Sequence, residues 1–352
     1  MMSVARTKKL EGLEALRGFA ALWVLLVHAN QATTHFVNWD AGAAGQVIAN
    51  GFLGVDFFFV LSGFIIAFTS QRLADRGGGF RAYAQARLLR IYVPYLPIGI
   101  GIYLLYILLP GLSEAERSPG LLTSFALLPS NSPPALSVAW TLVHELIFYA
   151  VFSVWFVSRR VLWALLGVWA GAIAAVWMQD VELSRFAGYF LSPLNLCFLL
   201  GVAVYRISRR LRTAGGAKTA LALAMGGLVA VCLQALQLEP VRFWVAIGFG
   251  AIVLAASMPA GARVRIWRPL MVLGAASYAV YLIHNPLLSV AVRVAVKVGV
   301  QGWAAFLLIS AVALAGGLMY WALYERRALG LTRRWLTGRK AREEIQRSVG
   351  SL

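Results

Sequence analysis

The sequence predicts an all-α, polytopic integral membrane protein with about ten transmembrane helices. Three observations predict this class: 60% of the 352 residues are hydrophobic, only 13% are charged, and apolar runs of at least about seventeen residues recur along the chain. The mean hydropathy of +0.75 agrees with them. A soluble protein with this pattern would need many core helices that are apolar on nearly every face, so we exclude an ordinary globular domain.

Ten apolar runs are long enough to cross a hydrocarbon layer about 30 Å thick. They cover approximately residues 14–30, 52–69, 88–110, 138–158, 161–178, 186–205, 219–236, 241–258, 269–291 and 303–325. The first run is not expected to be a cleaved signal peptide, because it contains Arg17 and His28 and no small-residue cleavage site follows it. We expect one membrane domain over residues 1–352, with spans between about 14 and 325, a short basic tail at 326–352 and no additional soluble domain.

The net charge of +18 is a signal of topology. If the N-terminus is cytoplasmic, 27 of the 32 lysines and arginines fall on the cytoplasmic side. This bias is expected for ten spans with both termini in the cytoplasm and with segments 31–51 and 111–137 outside. Anionic lipid at the inner surface favours the same orientation. We therefore predict a bacterial-type cytoplasmic (inner) membrane location with membrane lipid as a partner, and nucleic-acid binding is unsupported.

Two ionisable residues share one face of the first span. Arg17 and His28 are eleven residues apart, which is three helical turns plus about 20°, and about 16 Å along the axis. Arg17 alone is typical of an anchor whose side chain reaches back to the membrane surface. His28 could be a structural histidine bonded to a neighbouring helix, but the shared stripe favours a functional site, because intramembrane polar groups usually face a protein interior or water.

The fourth span carries a carboxylate at a similar depth. Glu145 lies fourteen residues before Arg159, about 21 Å along the helix, so its depth is close to that of His28. An ionised carboxylate there must be paired, protonated or in contact with water, and a structural carboxyl bonded to another helix is the alternative. The neighbouring His144 points about 100° away around the helix, so we do not expect it to share the partner of Glu145.

The second span contains Asp56 and Ser62, which are six residues apart and therefore on different faces. We interpret Asp56 as an interfacial residue near the outer end. The pair Ser62–Gly63 is first an indication of close helix packing. A nucleophilic role for Ser62 would require an adjacent base, which the sequence does not reveal.

At the start of the third span, Arg87 and Arg90 are three residues apart and therefore neighbours on one helical face. They are either positive-inside anchors or a guanidinium clamp for phosphate, because arginine binds phosphate oxygens with two parallel hydrogen bonds. Pro94 and Pro97 are expected to kink the helix above them and to open space for a ligand.

The two cysteines fall within predicted spans. Cys197 and Cys232 lack metal-ligand spacing, so we interpret both as buried free thiols and expect no metal.

Five motifs, in order along residues 10–325, resemble those of the membrane acyltransferase family 3. They are LEALRGFAALWVLLVH, GVDFFFVLSGFII, RLLRIYVPY, AWTLVHELIFY and SYAVYLIHNPL. The resemblance implies a ten-helix integral membrane O-acyltransferase that moves an acyl group, usually acetyl, from cytoplasmic acyl-CoA to a hydroxyl of a carbohydrate or other acceptor. The likeness is to the exopolysaccharide O-acetyltransferase branch, so the acceptor is expected to be a surface or exopolysaccharide precursor, free or lipid-linked.

The same resemblance assigns roles to residues. It implies that His28 and Glu145 are catalytic and that Arg17, Arg87 and Arg90 bind the acetyl-CoA donor. His28 would act as general base, with Glu145 orienting it or compensating its charge. We favour direct transfer over a covalent acyl intermediate on His28 or Ser62. Weaker candidates for substrate contacts are Asp56, Ser62, Trp140 and His144.

Two other classes compete with an enzyme. Buried Arg, His and Glu residues also mark substrate pathways in proton-coupled transporters and flippases, although we detect no inverted repeat. A scaffold subunit of a polysaccharide export machine is the third possibility. The acceptor, the side of the membrane on which it reacts and the oligomeric state are not determined by these motifs.

Overall fold

A computed structural model describes residues 2–109, 119–179, 181–211, 223, 225–227, 242–258, 266–332 and 334–336. All regular secondary structure in these ranges is helical, which confirms the predicted all-α class. The helices are α1 (Met2–Val37), α2 (Gly42–Ala49), α3 (Leu53–Ala74), α4 (Phe80–Leu108), α5 (Trp140–Phe152), α6 (Arg159–Met178), α7 (Arg185–Leu191), α8 (Leu194–Arg210), α9 (Arg242–Ser257), α10 (Arg268–Lys297) and α11 (Gly302–Tyr320).

Eight helical stretches in these ranges are long and apolar enough to cross a membrane. They are Glu11–Val37, Gly42–Ala74, Phe80–Leu108, Ser137–Phe156, Arg159–Met178, Arg185–Arg210, Arg268–Lys297 and Gly302–Leu336. Each corresponds to a predicted span, and the run at 241–258 corresponds to the shorter helix α9. The run at 219–236 lies outside the described residues apart from 223 and 225–227, as do residues 337–352 of the tail. The total of ten spans and the side of each terminus stay predictions.

The segment 31–51, predicted as a loop, is mostly helical. The first helix continues to Val37, where Asn38 takes a left-handed conformation with φ of 51°. The following helix α2 and a short 3₁₀ turn at Asn50–Phe52 then lead directly into α3. The loop prediction was wrong because this segment lacks proline, so nothing stops the helix at the edge of the apolar run.

Glycines allow the closest helix contacts in the bundle. A Cβ added at Gly18 of α1 would lie 2.7 Å from the backbone nitrogen of Gly274 in α10, so the two backbones touch there. The α3–α8 contact is similar, because a Cβ at Gly63 would overlap the backbone of Phe198. This confirms the predicted packing role of Gly63. Small residues let membrane helices approach closely and gain van der Waals contact.

Asp56, interpreted from the sequence as an interfacial residue, is part of an ion pair within the helix bundle. Its side chain is buried, with 2% of its surface exposed. It accepts two hydrogen bonds from the Arg242 guanidinium, at 2.8 Å and 2.9 Å, and thereby joins α3 to α9. A paired carboxylate is compatible with this burial because the guanidinium offsets the loss of solvation.

Helix α4 continues through Pro94 and Pro97. A proline supplies no backbone N–H, so Pro97 leaves the carbonyl of Val93 without its usual donor. The hydroxyl of Tyr324 donates to that carbonyl at 3.2 Å, and the hydroxyl of Tyr320 donates to the carbonyl of Pro94 at 2.7 Å. The end of α11 and the π-helical turn that follows it are therefore hydrogen-bonded to α4 at its prolines.

A candidate active site inside the helix bundle

Two histidines meet between α1 and α10. Nε2 of His284 lies 3.3 Å from Nδ1 of His28, and the two ring centroids are 5.0 Å apart. The contact follows from the close approach of Gly18 and Gly274, because α1 and α10 run parallel from that point. In each helix the histidine follows the glycine by about three turns, so the two histidines meet. His284 is almost completely buried, with 1% of its surface exposed.

The hydrogen bonds around this pair assign a tautomer to each neutral ring. Nδ1 of His284 lies 2.7 Å from the carbonyl oxygen of Tyr281, and a carbonyl only accepts, so this nitrogen carries the proton. Its Nε2 is then an acceptor. Nδ1 of His28 lies 2.8 Å from the carbonyl of Val24 and also faces that acceptor, so it is the donor. The lone pair of His28 is therefore on Nε2, which has no partner within the described part of the chain.

His28 lines a wide opening that we call the histidine cavity. Its volume is about 760 Å³, and its polar lining residues are His28, Gln31, His35, Tyr106, Ser137, Asn285, Ser289, Arg293 and Lys297. Nδ2 of Asn285 donates to the hydroxyl of Ser137 at 2.7 Å, which ties α10 to the turn before α5. A cavity of this size with several hydrogen-bonding groups can admit a polar substrate.

A second space, the arginine–glutamate cavity, is lined by Arg17, Ser62, Arg90, Glu145, Tyr278 and Tyr281, together with apolar residues. Its lining also includes the hydroxyl residues Thr141 and Ser277, and the cavity is small, about 40 Å³. The hydroxyl of Tyr149 donates to the Glu145 carboxylate. The guanidinium groups of Arg17 and Arg90 make no hydrogen bond or short ion pair with any described residue, although both interact electrostatically with Glu325. Their N–H groups can therefore bind an anionic or carbonyl ligand.

A third space, the Arg87 cavity, has a volume of about 260 Å³ and is lined by Thr69, Ser70, Arg72, Leu73, Arg76, Tyr83, Ala86 and Arg87. The Arg87 guanidinium donates to the hydroxyl of Thr69 and lies over the ring of Tyr149. Nε of Arg87 and the hydroxyl of Ser70 are buried, and neither has a partner in the part of the chain that is described. Buried polar atoms without partners are rare, so they indicate room for a ligand or water.

The structure separates residues that the sequence predicted to act together. Arg87 and Arg90 share a helical face but line two different cavities. No hydrogen bond joins His28 to Glu145, which also line different cavities. The roles proposed for these four residues stay predictions, but a direct His28–Glu145 contact is absent.

The weaker candidates have structural partners or a place in a cavity. His144 is buried and its Nδ1 lies 3.0 Å from the amide oxygen of Asn195, which confirms that it does not share the partner of Glu145. Trp140 packs edge-on against the ring of His144 at 5.7 Å. Ser62 lines the arginine–glutamate cavity, and no described histidine bonds to it.

Sequence reasoning missed His284, Tyr281 and Thr141, which form a chain of contacts from His28 to the arginine–glutamate cavity. His284 is the contact of His28. The hydroxyl of Tyr281 lies 3.0 Å from that of Thr141, and the ring of Tyr281 lies 5.7 Å from the ring of His284. His284 could have been found, because it is a histidine within a predicted span, and the argument applied to His28 applies equally to it.

Among the described residues, no group of three or more His, Cys, Asp or Glu side chains could hold a metal ion. Cys197 is a buried free thiol, as predicted, and lies 3.8 Å from a carboxylate oxygen of Asp56. Cys232 lies outside the described residues.

The long apolar helices, with paired histidines and available arginines in their interior, define an integral membrane protein built around a buried polar site. The model of the acyltransferase domain family matches residues 10–322. The chain therefore belongs to this family, the membrane acyltransferase family 3, and is a membrane acyltransferase.

Three curated relatives are similar to parts of the chain. The exopolysaccharide production protein ExoZ of Rhizobium meliloti (strain 1021) is 27% identical over 297 residues, which cover 78% of this chain and 85% of that protein. Protein 2 in the picA locus of Rhizobium radiobacter is 30% identical over 41% of this chain and 80% of its own length. The acyltransferase MdmB of Streptomyces mycarofaciens is 28% identical over 48% of this chain and 46% of its own length. No solved structure matches the chain significantly.

Proposed function

We propose that this acyltransferase takes an acetyl or other short acyl group from acyl-CoA and transfers it to a hydroxyl of a carbohydrate, such as a surface or exopolysaccharide precursor. The observation that carries the proposal is the unpartnered Nε2 of His28 on the wall of the histidine cavity. A neutral imidazole held in one tautomer by a second group is the arrangement of a general base. Similarity to an exopolysaccharide production protein supports a carbohydrate acceptor.

The donor is proposed to bind first through its phosphates. Coenzyme A phosphates cannot enter hydrocarbon, so they stay at the cytoplasmic mouth of the protein, where the Arg87 cavity offers three arginines and an unpartnered serine hydroxyl. Arginine suits phosphate because its planar group donates two parallel hydrogen bonds. The pantetheine arm, about 15–20 Å when extended, then reaches toward His28.

The thioester is proposed to pass the arginine–glutamate cavity. At about 40 Å³, this cavity has room for only a few water molecules, each of which needs about 10–15 Å³ of such volume. Side chains that line it must therefore move apart to admit the arm. The guanidinium groups of Arg17 and Arg90 make no hydrogen bond with a described residue, so they are suited to stabilise negative charge on the thioester carbonyl oxygen or on the phosphates.

The proposed reaction is a direct transfer. Nε2 of His28 takes the proton of the acceptor hydroxyl, whose oxygen forms a bond to the thioester carbonyl carbon. The bond from that carbon to sulfur breaks, and the thiolate takes the proton from His28, so that an ester and free coenzyme A leave. While His28 carries the extra proton, its Nδ1–H remains bonded to Val24 and faces Nε2 of His284, which stabilises the imidazolium.

The test is transfer of labelled acetyl from acetyl-CoA by purified His28→Gln protein. A general base contributes about 10²- to 10⁴-fold, so turnover should fall by that order while acyl-CoA affinity is retained. His144→Gln is the matched control, because His144 is also a buried histidine but lines none of the three cavities and bonds to Asn195. Near-normal transfer by His28→Gln would contradict the proposal.

The acceptor and the class of activity need a second measurement. Surface glycans from the host, with and without this gene, should differ in acetyl esters if a glycan is the acceptor. Transfer by purified protein without an ion gradient would exclude the transporter and flippase alternatives.

A further inference from the structure

A fourth cavity, separate from the three described above, lies between α3, the 3₁₀ turn at Ser153–Phe156 after α5, the start of α6 and the end of α8. We call it the five-arginine cleft. Its volume is about 440 Å³, and its charged lining residues are Arg159, Arg160, Arg206, Arg209 and Arg210. No aspartate or glutamate is among the residues that line it.

The start of α6 makes this concentration of charge unfavourable without an anion. Arg159 and Arg160 are the first two residues of a 20-residue helix whose first turn contains no acidic residue. The N-terminus of a helix carries a partial positive charge, which favours anions and disfavours cations. Arg206 and Arg209 of α8 add positive charge to the same space. A bound anion would therefore relieve repulsion among these arginines and with the helix N-terminus.

Two of the five arginines stack on tryptophan rings at the wall of the cleft. The Arg159 guanidinium lies over the ring of Trp155 at 4.6 Å, and that of Arg206 lies over the ring of Trp163 at 4.8 Å. A guanidinium stacked on an indole keeps its N–H groups at its edge, where they remain available to an oxygen ligand.

The cleft also contains a donor without an acceptor. Trp155 is 9% exposed, and its indole N–H is buried and has no partner among the described residues. A buried N–H without an acceptor is unfavourable, so a ligand that supplies an oxygen atom here is favoured.

The surroundings of the cleft favour a lipid over a soluble anion. Apolar residues just before and within the first turns of α6 are exposed: 85% of Val157, 56% of Val161 and 38% of Leu165. In a membrane this surface contacts acyl chains. We propose that the five-arginine cleft binds the phosphate of an anionic phospholipid headgroup, with the acyl chains lying along α6.

The test compares lipids on purified protein in an uncharged detergent. Phosphatidylglycerol should raise the thermal midpoint of unfolding more than phosphatidylcholine does at the same concentration. In the double variant Arg159→Gln/Arg206→Gln, the half-saturating phosphatidylglycerol concentration should rise about tenfold or more, the loss expected for a charge-assisted hydrogen bond. Trp155→Phe keeps the ring but removes the N–H, and should weaken the same response by a smaller factor.

The matched control is Arg268→Gln/Arg327→Gln, which removes the same charge from exposed arginines outside the cleft. Its response to phosphatidylglycerol should equal that of the wild type. Equal weakening in both double variants would overturn the proposal, because the effect would then be general charge attraction. Stabilisation by adenosine diphosphate, but not by lipid, through Arg159 and Arg206 would also overturn it. If the double variant does not fold, the single variants Trp155→Phe and Arg206→Gln replace it, and their responses to phosphatidylglycerol are compared with those of the wild type and the control.

Discussion

At the scale of single residues, the contact between His28 and His284 organises the candidate site. His284 donates to a backbone carbonyl and is almost fully buried, so its ring has a fixed orientation and presents Nε2 to His28. A base that is held in this way needs no rearrangement to receive a proton on its other nitrogen. His284 is therefore a positioning residue in the proposed mechanism.

We expect His284→Gln to lower turnover at least about tenfold, because His28 loses the acceptor that selects its tautomer. Acyl-CoA affinity should change little. The double variant His28→Gln/His284→Gln should be no slower than His28→Gln alone, since residues that act as a unit are not additive. Single-turnover transfer assays of the four proteins measure this. Independent losses that multiply would mean that His284 has only a packing role.

For Glu145 the prediction differs, because it contacts Tyr149 and lines a different cavity from His28. The losses caused by His28→Gln and Glu145→Gln should multiply in the double variant, as is usual for residues that share no partner. The same single-turnover assay measures both. A double variant as active as His28→Gln alone would show that the two side chains come together during the reaction.

Arg87 and Arg90 should have separable effects, because they line separate cavities. Arg87→Gln should weaken binding of intact acyl-CoA by at least about tenfold, the loss of one charge-assisted hydrogen bond, and should affect a truncated thioester without phosphates much less. Arg90→Gln should lower the transfer rate for both donors. Titration calorimetry and transfer rates with the two donors distinguish these effects. Equal losses for all donors in both variants would indicate structural anchoring only.

At the scale of helices, the α1–α10 crossing fixes the distance between the histidines. The carbonyl of Glu14 occupies the space that a Cβ at Gly274 would need, so the two backbones cannot stay at their present separation if this side chain grows. The Asp56–Arg242 ion pair plays a comparable part between α3 and α9. The glycine contact and the ion pair each join two helices that are far apart in sequence.

Gly274→Ala should therefore lower both thermal stability and acyl transfer, because overpacking a tight contact costs about 1–3 kcal/mol and moves His284 relative to His28. Gly171→Ala in α6 is the control, since a Cβ there meets no atom within 4 Å. It should retain full activity and lose no stability, because alanine is the better helix former. Thermal unfolding and transfer assays measure the two variants. If Gly274→Ala keeps the stability and the transfer rate of the wild type, α1 and α10 can move apart at this crossing without loss of function.

At the scale of the whole molecule, orientation decides which substrate reaches which cavity. The Arg87 cavity lies near the turn between α3 and α4, whereas the histidine cavity lies toward the ends of α1 and α10. Antiparallel α1 and α3 place these regions at opposite ends of the bundle. With the predicted charge bias, donor and acceptor would enter from opposite sides of the membrane.

A single cysteine introduced at Ala44, exposed on α2, should react with an impermeant thiol reagent in intact cells. A cysteine at Asp75, exposed in the turn after α3, should react only after permeabilisation. The reason is the predicted excess of basic residues on the cytoplasmic side. Gel-shift labelling of both variants measures accessibility, and the reverse pattern would invert the topology.

Much of the architecture could be predicted from the sequence, because burial in lipid demands a long apolar run for every spanning helix, and such runs are visible in one dimension. The same constraint pointed to His28, Arg17 and Glu145, since an ionisable residue within such a run stands out. The distribution of lysines and arginines between the two sides predicted an orientation, because cytoplasmic segments carry the excess of positive charge. These are properties of each segment by itself.

Only the tertiary structure decided which polar side chains meet. His28 and His284 are 256 positions apart, and Asp56 and Arg242 are 186 apart, so helix periodicity carries no information about either contact. Arg87 and Arg90 share a face, yet α4 lies against several neighbours, and each arginine turns into a different cavity. Periodicity reports the direction in which a side chain leaves its own helix, whereas the partner it meets depends on how the helices pack.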